Sequence, residues 1–150
     1  MLRLLQWTVF GINSKLIHQL QLIQNAAAKA VTRKYKHDYL KNDLKELHWL
    51  DVKKRIIFKI ALIAFKTVIG QAPTFLQDMF QYSHHGHSLK LIVPTFSSKY
   101  GRRSFSYIGP RILNTLPSSI TSSPTIEEFK KNLKTYLFDM NGYQLDKLWN

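Results

Sequence analysis

The chain has 150 residues, 45% of them hydrophobic, which is enough for one domain with a real core and excludes a disordered polymer. Twenty-two Lys and Arg against 9 Asp and Glu give a net charge of +13, so the partner favoured by charge is a polyanion: nucleic acid or an anionic membrane face. Cysteine is absent, which rules out disulfides and thiolate zinc sites and suits a reducing compartment.

Residues 1–12 are too short to read as a folded unit and look like the end of a truncated upstream element. Their apolar part is short, and no small-x-small cleavage site comes after it, so a secretory signal is rejected. An intracellular protein, nuclear or cytoplasmic and not secreted, is expected.

Residues 13–80 read as a helical part. Asn13 or Ser14 can cap a first long helix. Leu16, Leu20, Ile23, Ala27 and Ala30 recur at spacings of 4, 3, 4 and 3, which predicts one inward apolar stripe. Its basic end carries Lys29, Arg33, Lys34 and Lys36, which complement the helix dipole. Asp38 to Leu47 reads as a shorter helix. His48, Trp49 and Leu50 turn the corner, and Asp51 is a plausible N-cap for the next helix.

From Val52 to Ile69 nothing breaks a helix, and Gly70 stands where one would end. Apolar side chains take most of its circumference, while Arg55, Lys59 and Lys66 share one narrow sector. A helix apolar around most of its girth is buried by its neighbours, so this one is expected at the centre. Lys59 and Lys66 would sit in hydrocarbon were it to span a bilayer, so no membrane partner is expected. Pro73 then fits a first helical position, and Phe75, Leu76, Met79 and Phe80 supply a short apolar face.

All five prolines lie at or after position 73, and residues 81–124 read as loop-rich with short strands. Residues 81–88 are expected to be a loop, Leu89 to Val93 a short strand, and Arg103 to Ile108 a second strand with Phe105 and Tyr107 on one face. Gly109-Pro110 reads as a turn, and Leu116-Pro117 as the start of another irregular stretch. Thr125-x-x-Glu128 is a capping box for a last helix over 125–139, with Ile126, Phe129, Leu133, Leu137 and Phe138 facing inward. Residues 140–150 are expected to fray as a tail. The fold class predicted is mainly α: a helical bundle around a central buried helix, with a small two-stranded β element in the C-terminal half.

Several phrases together resemble one family. They are Leu20-Gln21-Leu22-Ile23-Gln24-Asn25 with the three alanines after it, Leu47-His48-Trp49-Leu50, Arg55-Ile56 with Phe58-Lys59, and Gly70-x-Ala72-Pro73-x-Phe75-Leu76. Tyr100-Gly101-x-Arg103-Ser104-Phe105-Ser106, Gly109-Pro110, Asn114-x-Leu116-Pro117 and Phe129-Lys130-x-x-Leu133-Lys134 complete the series. In this order the chain resembles the C-terminal segment of reverse transcriptases of LINE-type (non-LTR, jockey and chicken-repeat-like) retrotransposons, over roughly residues 11–139. Asp51 departs from the usual Pro, and Leu113 from the usual Trp. The resemblance implies a region beyond fingers and palm, with thumb-like helices that contact template RNA and nascent DNA.

Polymerisation needs carboxylates that hold two metal ions about 4 Å apart. This chain has no Asp-Asp pair, and the capping box accounts for Glu128 in Glu127-Glu128. No catalytic residue, metal ligand, cofactor or small-molecule substrate is therefore expected, and the chain is not an enzyme on its own. His84, His85 and His87 read as a solvated loop, and His48 as a corner residue.

Binding is the stronger case. Lys99, Tyr100, Arg102 and Arg103, with Arg111 beyond, interleave cations with aromatics as far as Tyr107. Cations neutralise phosphates and rings stack on unpaired bases, although strand alternation would equally bury Phe105 and Tyr107. Arg33, Lys34 and Lys36 form a second patch. Arg55, Lys59 and Lys66 form a third, or else snorkel or pair with acids such as Glu46 or Asp43. RNA or single-stranded DNA is the expected partner. The rival is a structural remnant that docks on a missing palm domain.

Overall fold

A computed structural model describes residues 13–33, 41–83, 90–98 and 100–149, with the side chains of 41–43 left out. At its centre lies the helix Val52–Val68 (α3), where Ile57, Ile60, Ala61 and Ala64 are at most 1% exposed. Before it come Ser14–Thr32 (α1) and Lys41–Glu46 (α2). After it come Thr74–Gln77 (α4), the strands Gln81–Ser83 (β1) and Lys90–Ile92 (β2), and a 3-10 turn at Gly101–Arg103. Phe105–Thr115 (α5), Ser118–Thr121 (α6), Ile126–Asp139 (α7) and Gly142–Trp149 (α8) complete the chain. The fold is mainly α with one small antiparallel β pair, as its patterning predicts.

α3 packs chiefly against α5 and α7, with α1, α8 and α4 at its flanks. α7 presents Phe129, Leu133 and Leu137, all fully buried, and the Phe129 ring stacks on Phe65 of α3 at 3.9 Å and 4°. Thr125 caps α7 by accepting the Glu128 N–H at 3.2 Å. Lys54 of α3 reaches the other end of α7, donating to the carbonyls of Met140 at 3.0 Å and Phe138 at 3.5 Å. Burial pushes the Lys54 pKa below its ordinary 10.5, and the charges of Asp51 and Asp139 oppose that shift.

α1 corrects the predicted stripe. Asn13 does cap it, accepting the Lys15 N–H at 3.0 Å. Its inward face, however, is Ile17, Gln21, Gln24, Asn25 and Ala28, whereas Leu16 (51%), Leu20 (44%) and Ile23 (66%) are exposed. The two faces lie about a quarter turn apart. The reason is at the start of α3, where Asp51 makes no side-chain cap bond. Gln21 Oε1 accepts the Val52 N–H at 2.9 Å, and Gln24 Nε2 donates to the Leu50 carbonyl at 2.8 Å. Glutamines from another helix thus satisfy backbone groups that the corner leaves open, and that takes precedence over the apolar stripe.

The region 103–108 is not a strand. After the 3-10 turn it enters α5, and the partner of β2 is Gln81–Ser83, inside the stretch expected to be a loop. Tyr82 pairs with Leu91 at the centre of the ladder. Asn114 of α5 clamps that position: its Oδ1 accepts the Leu91 N–H at 3.1 Å and its Nδ2 donates to the Leu91 carbonyl at 2.7 Å. Leu113, where the resemblance leads one to expect Trp, is buried at 6%.

Nor is Gly109-Pro110 a turn. Both residues lie inside α5 and are buried. A side chain at 109 would meet Phe80, whose ring stacks on Phe105 at 5.1 Å, so glycine serves close packing here. Beyond Asp139 the chain does not fray. Asn141 and Gln144 form a reciprocal capping box, with N–H···O distances of 3.2 and 2.9 Å, that opens α8. Leu148 and Trp149 bury against the core, and Asp146 pairs with Lys53 at 3.3 Å.

Candidate nucleic-acid interface

The segment that interleaves cations with aromatics folds as a knuckle and then a helix. The 3-10 turn brings the Phe96 ring onto the Gly101 backbone, where a Cβ would lie 2.6 Å from Phe96 Cγ. Phe96 in turn packs edge-on to Tyr107, with ring centroids 6.2 Å apart. Gly101 N–H donates to Ser98 Oγ at 3.0 Å, and the Ser104 hydroxyl donates to the Gly101 carbonyl at 2.7 Å. The knuckle is therefore a hydrogen-bonded unit that sets the direction in which each side chain leaves the backbone.

Those directions separate the aromatics. Phe105 is buried and Tyr107 half-buried, so both belong to the packing. Tyr100 is 84% exposed. Arg102 Nε donates to the Phe96 carbonyl at 3.2 Å, and Arg103 is exposed with no ion pair to any described residue. Beside Arg103 opens a cleft of about 460 Å³ between α4 and the start of α5, floored by Leu76 and Phe105. On its rim Phe75 and Met79, two members of the expected apolar face, are 52% and 45% exposed.

The other expected binding residues are dispersed. Arg111 is half-buried, and its guanidinium donates to the Lys147 carbonyl of α8 at 3.2 Å, so it ties two helices together and does not line the cleft. Arg33 is the exposed C-cap of α1, with φ 53°. Lys34, Lys36 and Lys99 lie outside the described residues, as do His84, His85 and His87. His48 does occupy the corner, with φ 54°, and its N–H donates to the Lys45 carbonyl at 3.0 Å.

No family model, curated protein or solved structure matches the chain.

One track is more coherent than its sequence suggests. Arg55 and Lys59 are exposed and Lys66 half-buried along one side of α3, at axial rises of about 6 and 10 Å. Neither Glu46 nor any other described carboxylate pairs with them, and the side chain of Asp43, the other expected partner, lies outside the described residues. Ion pairs are made instead by Lys53 with Asp146 and by Lys130 with Glu127, the latter at 3.9 Å on the surface. Lys131 is exposed and has no ion pair among the described residues, and Lys134 lies 5.9 Å over the Phe138 ring. Arg55, Lys59, Arg103 and Lys131 thus face solvent with no ion pair among the described residues. Among the described residues no three of His, Cys, Asp and Glu come together, and no helix is long and apolar enough to cross a membrane.

Proposed function

We propose that this chain is a nucleic-acid-contacting module: the C-terminal part of a LINE-type reverse transcriptase, without the polymerase catalytic site. It holds RNA or single-stranded DNA through phosphate contacts, with little sequence preference, and catalyses nothing by itself. Such a role would be exercised in the nucleus or cytoplasm. The observation that carries this reading is the knuckle at 100–103, where a solvent-exposed tyrosine stands beside Arg102 and Arg103 with no carboxylate near them among the cleft-lining residues. The stripe Arg55, Lys59 and Lys66, which has no ion pair among the described residues, supports it. The test is equilibrium binding of a labelled single-stranded RNA over a salt series. Log K should fall linearly with log salt, by about 0.7 per phosphate neutralised. A flat response, or no binding at low salt, refutes the reading.

A second reading is favoured by α1. Leu16, Leu20, Ile23 and Val31 are 44–66% exposed, and α1 carries Lys15 and Lys29 but no acid. Such a seam suits a partner helix with apolar residues flanked by acids, as on a missing palm domain, and it repels a second copy of itself. A stable monomer that stays soluble at high concentration would argue against this scaffold role.

A further inference from the structure

We infer that the cleft between α4 and the start of α5 is a pocket for one unpaired nucleobase. This rests on the reading of the chain as a nucleic-acid-contacting module and goes further by assigning the base a place. Eleven large apolar side chains are exposed among the described residues, and three of them, Phe75, Met79 and Tyr100, rim this one cleft. A solvent-exposed ring is open to stacking, and every base offers a π-face. The volume of about 460 Å³ falls in the range of pockets that take small organic groups, ample for a base with its sugar.

The polar groups fit the same occupant. Among the described residues that line the cleft, Arg103 is the one with a charge and none is a carboxylate, so a phosphate attached to the base is welcome. The single Ser104 hydroxyl hydrogen goes to the Gly101 carbonyl at 2.7 Å, so the 3.0 Å contact between Ser104 and Ser106 is donated by Ser106. Ser106 Oγ therefore keeps acceptor capacity at the cleft for an N–H on the edge of a base. Tyr100 and Arg103 come from the knuckle, Phe75 from α4 and the Ser106 acceptor from the first turn of α5, so stacking surface, cation and acceptor meet in one cleft.

The experiment compares two single-stranded RNA oligomers of equal length and phosphate count, one normal and one fully abasic, at one low salt concentration. The normal oligomer should bind about 5- to 150-fold more tightly, the range for stacking one base on an aromatic ring. Tyr100→Ala should shrink that difference at least about fivefold, and Tyr100→Trp should keep it. Arg103→Gln should weaken both oligomers alike. A 2-aminopurine base in the oligomer should be quenched by the unaltered protein and not by the Tyr100→Ala protein. Equal binding of both oligomers overturns the pocket and leaves the module reading intact. Failure of both to bind at low salt overturns the two together.

Discussion

Gly109→Ala should destabilise the protein, although the same change in an unconstrained helix stabilises. A methyl at 109 would lie 2.6 Å from Phe80 Cζ, 3.1 Å from its Cε1 and 3.3 Å from Phe105 Cε2. Carbon atoms rest about 3.5–4.0 Å apart, so the Phe80 ring must retreat by about 1 Å. It has little room to do so, being 5% exposed and stacked on a Phe105 that is 4% exposed. Overpacking of this kind costs about 1–3 kcal/mol, and replacing a helical glycine by alanine returns about 1 kcal/mol. The expected net loss is therefore up to about 2 kcal/mol. Urea unfolding followed by circular dichroism measures it. Phe80→Leu removes Cζ, so in that background Gly109→Ala should become neutral or stabilising, a coupling of at least about 0.5 kcal/mol. If Gly109→Ala stabilises the parent protein, or acts equally in both backgrounds, the close-packing argument fails.

Asn114→Ala should cost about 1–3 kcal/mol, because it strands both the N–H and the carbonyl of Leu91; amide exchange at β1 and β2 should accelerate, and unchanged protection there would refute the clamp. Gln21→Ala with Gln24→Ala should free α1 selectively: each lost bond is worth about 0.5–1.5 kcal/mol, so α1 amides should exchange faster while Ile57 and Ile60 of α3 keep their protection. Lys54 gives a pH signature. Its folded pKa is depressed below 10.5 by burial, so the folded chain releases that proton first, and the Lys54 contribution to stability rises with pH from the depressed folded value up to 10.5. The stability difference between the parent and Lys54→Met should shift toward the parent over that window; a shift the other way would mean ion pairing, not burial, dominates.

The central helix and α7 are legible in the sequence because their apolar residues keep a helical period and their ends carry Gly70 and Thr125. α5 misleads because Ser104-Phe105-Ser106-Tyr107 alternates like a strand and Gly109-Pro110 looks like a turn. The helical spacing of Phe105, Ile108, Ile112 and Leu116 runs through the same letters and is what burial selects. Pro110 removes one bond to the Ser106 carbonyl, a loss that this buried face outweighs. α8 does carry a signal, Asn141-x-x-Gln144 with Leu145, Leu148 and Trp149 beyond it, but its shortness and terminal position make it look like a tail. The inward glutamines of α1 have no local signal, since their partners lie 31 and 26 residues away. The cleft is illegible for the same reason: it joins side chains of 75–79 to those of 100–106. Arg102 and Arg103 stand together on the knuckle as their adjacency suggests, while Arg111 is claimed by α8.

The glutamine attachment of α1 gives this chain two opposed responses to temperature. Apolar interiors such as the Phe65–Phe129 stack lose driving force on chilling, because apolar hydration is nearly athermal around room temperature. Amide-to-carbonyl bonds draw on enthalpy and do the reverse. The arm formed by α1, with Ile17 and Ala28 as its buried apolar contacts, is thus set to unlatch first in the heat and to hold on in the cold while the interior softens.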